Sequence, residues 1–123
     1  MNQLEEAHLR EREAEKQDAI AALEEALVSI EQEHREPDQW ERVHFVRGLA
    51  SLFSGAYSLA ACEAYLALTA PGERSPTVKL PADPLFDRCN IALLRRVLAA
   101  AEAEPVREFP SFGPIVITGE AGK

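Results

Sequence analysis

Residues 38–72 read DQWERVHFVRGLASLFSGAYSLAACEAYLALTAPG. In the first half, apolar side chains recur every three or four residues, as they do along the buried side of a helix: Val43, Val46, Ala50 and Phe53. Asp38 is a good N-cap, and Glu41 three residues later completes a capping box that satisfies two backbone N–H groups at the helix start. The pattern therefore predicts a core helix from Asp38 to about Ser54.

The second half of this stretch predicts another helix. Gly55 interrupts the apolar pattern, residues 57–69 resume it, and Pro71 with Gly72 ends it. Small residues where the two helices would touch permit a close approach: Gly48, Ala56, Ala60, Ala61 and Ala64. Gly55 suits the tight turn because glycine adopts positive φ without steric cost. We therefore expect an antiparallel helical hairpin.

The segment Glu41–Arg74 resembles one tetratricopeptide-type repeat, a helix–turn–helix unit of 34 residues. The resemblance rests on residues at positions where that family tends to have them: Gly48, Gly55, Tyr57, Ala60, Ala67 and Leu68. It implies a concave surface that grips a peptide, with the flanking helices as caps. Three positions that are normally aromatic or aliphatic in the family carry His44, Arg47 and Ser51. Polar groups there cost stability unless satisfied, so we predict that these three residues bind a protein partner.

The acidity of the chain lies at its N-terminal end. Residues 1–36 hold eleven acidic and four basic side chains, which accounts for −7 of the net charge of −8. Charged residues at helical spacing predict a long helix that Pro37 ends, because a proline disfavours helical geometry in the residue before it. Within residues 2–18 the only large apolar side chains are Leu4 and Leu9. We therefore expect residues 1–18 to be a solvated helical extension.

The inner half of this first helix carries a narrow apolar stripe: Ile20, Leu23, Leu27 and Ile30. Steps of three, four and three residues are typical of a helix that packs against another helix. The stripe is more apolar than a lone helix leaves in water, so it packs either on a second copy of the chain or on the chain's own hairpin. Of the two we predict the second copy, with these four residues as the interface of a homodimer.

A fourth helix is predicted after a connector, residues 73–84, that has three prolines and no periodicity. Pro84 fits the first helical position behind Asp83 as N-cap, and the helix runs to Glu104. Its apolar side is predicted to be Phe86, Cys89, Leu93, Val97 and Ala100. Its basic residues are expected to pair with the acidic first helix: Arg88, Arg95 and Arg96. Residues 109–123 contain prolines and β-prone residues and predict an extended tail.

Composition disfavours several classes of function. A net charge of −8 and a pI near 4.9 argue against nucleic acid and anionic membranes as partners, because both bind basic surfaces. The longest charge-free run, residues 48–62, has 15 residues, whereas a membrane-spanning helix needs about 20 apolar ones. Residues 1–6 are polar and acidic, unlike a secretory signal, so we expect a cytoplasmic protein.

Few residues suggest chemistry. Each histidine follows a glutamate by three residues: Glu5 and His8, Glu31 and His34, Glu41 and His44. Glu-x-x-His places two ligands on one helix face, as in di-iron bundles, so a metal-binding helical enzyme is an alternative function. Eleven of residues 1–42 are glutamate, however, and such spacings arise by chance, so we predict neither a metal nor a cofactor. Residues 115–123, IVITGEAGK, lack the first glycine of a phosphate-binding loop. Cys62 and Cys89 are predicted to be buried thiols.

The whole sequence predicts an all-α fold of four helices around an antiparallel hairpin. Residues 1–108 form one helical domain and residues 109–123 form the tail. The predicted function is that of a small acidic protein–protein interaction module, an adaptor or chaperone-like subunit without catalytic activity of its own. Its partner would be a protein of unknown identity, in addition to the second copy. A secretion-type chaperone has the same size and charge and is a further alternative.

Overall fold

A computed structural model describes residues 3–69 and 89–109, and within these ranges the chain forms four α-helices and no strand. The helices are α1 Gln3–Gln32, α2 Gln39–Ser54, α3 Tyr57–Thr69 and α4 Ile91–Ala103. The predicted all-α fold is thus confirmed over these residues. None of the four helices is both long enough and apolar enough to cross a membrane. The predicted connector and nearly all of the predicted tail lie outside the described residues.

The predicted hairpin is present, with α2 and α3 joined by Gly55 and Ala56. Asp38 Oδ1 accepts the Glu41 N–H at 2.8 Å and Glu41 Oε1 accepts the Asp38 N–H at 2.9 Å, so the capping box that starts α2 is confirmed. Gly55 has a φ of 86°, the left-handed conformation that glycine adopts at little cost. A Cβ at this position would also lie 2.9 Å from the Cβ of Arg107. The turn therefore requires glycine for two separate reasons.

The third helix, α3, packs against both α1 and α2, which have little contact with each other. Its inward side consists of one aromatic residue and three alanines, all at most 4% exposed: Tyr57, Ala60, Ala64 and Ala67. These small side chains let the helix backbones approach closely. Where α2 crosses α3, a Cβ on Gly48 would lie 3.1 Å from Leu23 Cδ2 and 3.4 Å from Glu63 Cβ. A larger residue at position 48 would therefore push α2 away from its neighbours.

The apolar stripe of α1 lies in the core of the chain itself. Its four residues are 8%, 0%, 1% and 2% exposed: Ile20, Leu23, Leu27 and Ile30. They form one cluster with Phe45 and Leu49 of α2 and with the inward side of α3. The stripe thus packs on the chain's own hairpin, the second of the two possibilities that the sequence leaves open. This packing leaves almost no apolar area on the stripe for the predicted contact with a second copy.

Most described residues of the outer half of α1 are exposed, but this half is also bound to the rest of the chain through Arg12 and Lys16. Residues 3–7 are exposed, but Lys16 is only 3% exposed. Its Nζ donates to the carbonyl oxygens of Glu102, at 3.2 Å, and Glu104, at the C-terminal end of α4. Arg12 donates in the same way to the carbonyl of the glycine in the hairpin turn. Both cations satisfy carbonyls that no helical N–H reaches and offset the partial negative charge at a helix C-terminus.

The predicted start of the fourth helix at Pro84, and Phe86 of its apolar side, lie outside the described residues, and the described helix α4 begins at Ile91. Asn90 is its N-cap, with Oδ1 accepting the Leu93 N–H at 2.8 Å, and Cys89 precedes the helix. The buried residues of α4 are Leu94, Leu98 and Ala101. Each of them follows by one position a residue of the predicted stripe: Leu93, Val97 and Ala100. The predicted apolar positions are therefore one residue too early. They continue the helical spacing from Cys89, whereas Asn90 is the N-cap and α4 starts after it.

Arg95 of α4 connects this helix to α1 through two carboxylates. Its Nη1 donates to Glu24 Oε2 at 2.9 Å, and its Nε donates to Glu31 Oε2 at 3.0 Å. The hydrogen bonds from Arg95 hold the pKa of Glu31 below its ordinary value, because they favour the charged carboxylate. The predicted pairing of the last helix with the acidic first helix is therefore confirmed for Arg95. Arg96 is exposed, and Arg88 lies outside the described residues.

Candidate functional site

The helix α3 has apolar residues on all of its sides. Its sequence, YSLAACEAYLALT, contains a single charged residue, Glu63. Such a composition is typical of a helix that is buried all round, because apolar surface left in water costs free energy. Within the described part of the chain, however, α1 and α2 cover only the side that carries the alanines. The opposite side of α3 is therefore the feature of this fold that most needs an explanation.

We call this uncovered side the outward face and define it by four residues: Leu59, Cys62, Tyr65 and Leu66. Leu59 is 49%, Tyr65 65% and Leu66 44% exposed, and Cys62 is exposed as well. Steps of three and four residues make these side chains neighbours on the helix surface. Leu68, at 38% exposure, adds to the apolar area near the end of α3. The outward face itself contains no charged residue.

A histidine–glutamate pair borders the outward face on the side of α2. His44 Nδ1 lies 2.7 Å from Glu63 Oε1, and the two side chains are 12% and 14% exposed. The indole of Trp40 stacks on the His44 ring, with the ring centroids 6.4 Å apart and an interplanar angle of 27°. Glu63 is four residues after Leu59 and three before Leu66, so it adjoins both leucines. Glu63, the single charged residue of α3, is thus bound to His44 of α2.

Of the three residues predicted to bind a partner, only Arg47 is available to one. His44 is held by the glutamate of α3, as described above. Ser51 is 8% exposed, and its carbonyl accepts the Ser54 hydroxyl and the Ala56 N–H. Arg47 is exposed and makes no hydrogen bond or ion pair with any residue that the structure describes. The chain's own contacts thus satisfy the His44 ring, and Ser51 is buried, so an unpaired polar group at His44 does not call for a partner.

The two cysteines lie in different surroundings. Cys62 is exposed on the outward face, so the predicted burial of its thiol is wrong. Cys89 is 2% exposed, as predicted, although it precedes α4 instead of lying on it. Burial raises the pKa of the Cys89 thiol, and the opposing effect of the Arg42 charge is smaller. A raised pKa keeps that thiol protonated and poorly nucleophilic.

The glutamates of two Glu-x-x-His motifs bind arginines. Glu31 pairs with Arg95, and both oxygens of Glu41 accept from Arg35 at 2.7 Å. His44, the histidine of the Glu41 motif, pairs with Glu63 of α3. Throughout the part of the chain that the structure describes, no group of three or more His, Cys, Asp or Glu side chains is placed to hold a metal ion.

A cavity of about 540 Å³ lies where α1 ends and α2 begins. Four carboxylates line it, beside apolar residues of α1 and α3: Glu33, Glu36, Asp38 and Glu41. Arg35 binds Glu33 and Glu41, and Glu36 accepts the Ile91 N–H at 2.9 Å. Asp38 caps α2. These carboxylates thus hold the connection between α1 and α2 and the start of α4, which accounts for their presence around the cavity.

Sequence reasoning based on polar residues misses the outward face. The signal was the scarcity of charge: between Gly48 and Gly72, Glu63 is the only charged residue. A helix in such a run has no polar side to present to water, so it needs cover on all sides. The small residues of α3 indicate close packing on one side only. The exposed Leu59, Tyr65 and Leu66 lie on the other side.

Comparison with known proteins gives the chain no relative from which a function could be transferred. No protein-family model, no curated protein and no solved structure matches it.

Proposed function

We propose that this chain is a protein–protein interaction module, an adaptor or chaperone-like subunit, and that the outward face of α3 is its recognition surface. The observation that carries the proposal is the composition of α3. Apolar residues lie on all sides of the helix, and the described part of its own chain covers only one side of it. Contiguous apolar area of this kind on a small protein is typical of an interaction site.

The energetics favour a covered outward face. Full burial of a leucine or similar side chain is worth about 1.5–3 kcal/mol. Leu59, Tyr65 and Leu66 each retain about half of their surface in water. Covering each of them would recover roughly 1 kcal/mol, so a partner that buries all three gains a few kcal/mol before any polar contact is counted. This gain is the driving force that we assign to recognition.

The surroundings of the outward face also resemble the anatomy of interfaces. Protein interfaces have an apolar centre enriched in tyrosine and a polar rim that stays hydrated. Here Tyr65 and two leucines form the centre, and the His44–Glu63 pair lies at the margin. Arg47 follows His44 by three residues on α2 and is exposed. We therefore retain Arg47 from the predicted partner-binding residues, as a member of the rim.

The experiment compares what the chain captures with and without an intact outward face. Tagged full-length protein is expressed in its native cells as wild type, as Leu66→Glu and as Leu4→Glu. The last variant is the matched control, since Leu4 is 80% exposed at the far end of α1 and receives the same new charge. We expect wild type and Leu4→Glu to retain a protein, of another kind or a second copy, that Leu66→Glu loses. Identical capture by all three variants would refute the proposal.

A further inference from the structure

We infer that the partner of the outward face is a second copy of this chain. Two α3 helices would pack antiparallel, with the two Cys62 side chains at the twofold axis. The inference rests on the proposed function and deepens it by naming the occupant. It moves the predicted homodimer from the stripe of α1, which the core already buries, to the side of α3 that nothing in the described chain covers.

The charge distribution restricts where two copies can meet. The chain carries a net charge of −8, and −7 of it belongs to residues 1–36, which include all of α1. Contact through α1 would bring like charges together, which costs free energy in an interface. The outward face has no charge, and the one glutamate of α3 is bound to His44 at its margin. It is therefore a surface through which two copies of this acidic protein approach without like-charge contact.

The order of residues along α3 suits a twofold contact. In such a contact the same patch serves both copies, so each residue meets the one equally far from the axis on the other side. Cys62 is the sixth of the 13 residues of α3 and lies near its middle. With the axis at Cys62, Leu59 of one copy lies opposite Tyr65 of the other. A small side chain at the crossing lets the helices approach, and the larger apolar ones meet on either side of it.

The size of the outward face determines how strong the association is. A helix of 13 residues is about 20 Å long and about 10 Å wide. Two such faces bury, together with their margins, less than the roughly 1,200 Å² at which stable interfaces begin. We therefore expect a dimer that dissociates on dilution, with a dissociation constant on the order of micromolar or weaker.

Sedimentation equilibrium over a wide range of concentrations tests this inference. The molar mass of wild type and of Leu4→Glu should rise from 13.6 kDa toward twice that value as the concentration increases. Leu66→Glu, and independently Tyr65→Glu, should raise the dissociation constant about tenfold or more, as expected for a central interface residue. A short bis-maleimide should join two copies through Cys62, so Cys62→Ser should abolish the cross-link and Cys89→Ser should preserve it.

Two results would overturn the inference. One is a mass of 13.6 kDa at every concentration, and the other is a dimer that survives both Leu66→Glu and Tyr65→Glu. The capture experiment then separates this failure from that of the proposed function. If wild type is monomeric but retains a different protein that Leu66→Glu loses, the second copy is the wrong occupant and the interaction module stands. If the variants do not differ in capture either, both proposals fail.

Discussion

Replacing Leu27 by alanine separates a core residue from an interface residue. Leu27 is 1% exposed and is among the largest fully buried side chains of the described chain. A leucine-to-alanine change in a core costs about 2–5 kcal/mol, and the cost rises with the cavity that remains. Helix α1 cannot easily move to close that cavity, because it is bound to α4 both before and after Leu27 along the chain. Lys16 makes the first of these contacts and Glu31 makes the second. We therefore expect a loss in the upper half of the range, about 3–5 kcal/mol.

Urea unfolding followed by helical circular dichroism, at a low and a high protein concentration, measures this loss. Small domains have a total stability of about 5–15 kcal/mol, so the effect should be large. The melting temperature should fall by roughly 10–20 °C for a chain of this size. Leu4→Ala is the matched control, since Leu4 is 80% exposed, and should stay within about 0.5 kcal/mol of wild type.

The concentration dependence of the stability loss shows whether the apolar stripe of α1 lies in the core of one chain or in a dimer interface. If Leu27 belongs to the core of a single chain, the loss of stability is the same at both concentrations. If it belongs to a dimer interface, as the sequence predicts, wild type gains stability with concentration through dimerisation and the dissociated variant does not, so the loss is larger at the high concentration. A loss below about 1 kcal/mol, together with release of a folded monomer, would show that the packing of α1 described here is wrong.

Three further perturbations test the packing. Gly55→Ala should cost about 1–2 kcal/mol from the left-handed backbone alone and more from the contact with Arg107, and a loss under 0.5 kcal/mol would contradict the turn geometry. Ala64→Leu should cost about 1–3 kcal/mol, because Ala64 is 1% exposed and belongs to the core cluster, and an unchanged urea midpoint would show that α3 does not pack closely. The lowered pKa of Glu31 means that its pairing adds stability above the unfolded-state pKa, which is lost as pH falls through the folded-state pKa. Arg95→Gln should therefore lose less stability than wild type between neutral pH and about pH 3, and equal losses would argue against the ion pair.

Local chemistry made the hairpin predictable. Asp38 and Glu41 form a capping box within four residues, and Gly55 takes the positive φ that few other residues tolerate. Both signals act over a few bonds, so the sequence contains them completely. The N-cap of α2 and the turn between α2 and α3 follow from them, and the structure has both where the sequence predicts them.

Contacts between distant residues were not predictable in this way. An apolar stripe requires cover, but its spacing does not say whether the cover belongs to the same chain, as it does for Leu23 and Leu27. Lys16 binds carbonyls 86 and 88 residues away, so a lysine that looks solvated in the sequence is buried in the fold. For the candidate site, polar residues at unusual positions led to His44, which Glu63 satisfies. The apolar side of α3 carries the stronger signal, and it emerges only once the fold shows which side is covered.

The reactivity of the two thiols tests whether α3 is covered by its own chain on one side and open on the other. Cys62 and Cys89 are the only cysteines, the first on the outward face and the second 2% exposed. Dilute native protein is mixed with a chromogenic disulfide reagent, and the release of its coloured thiolate is followed. We expect one thiol to react nearly as fast as in unfolded protein and the other only as the protein unfolds, with Cys62→Ser removing the fast phase. Slow reaction of both thiols at the lowest concentration would show that the chain itself covers the outward face, and the proposed recognition surface would then be wrong.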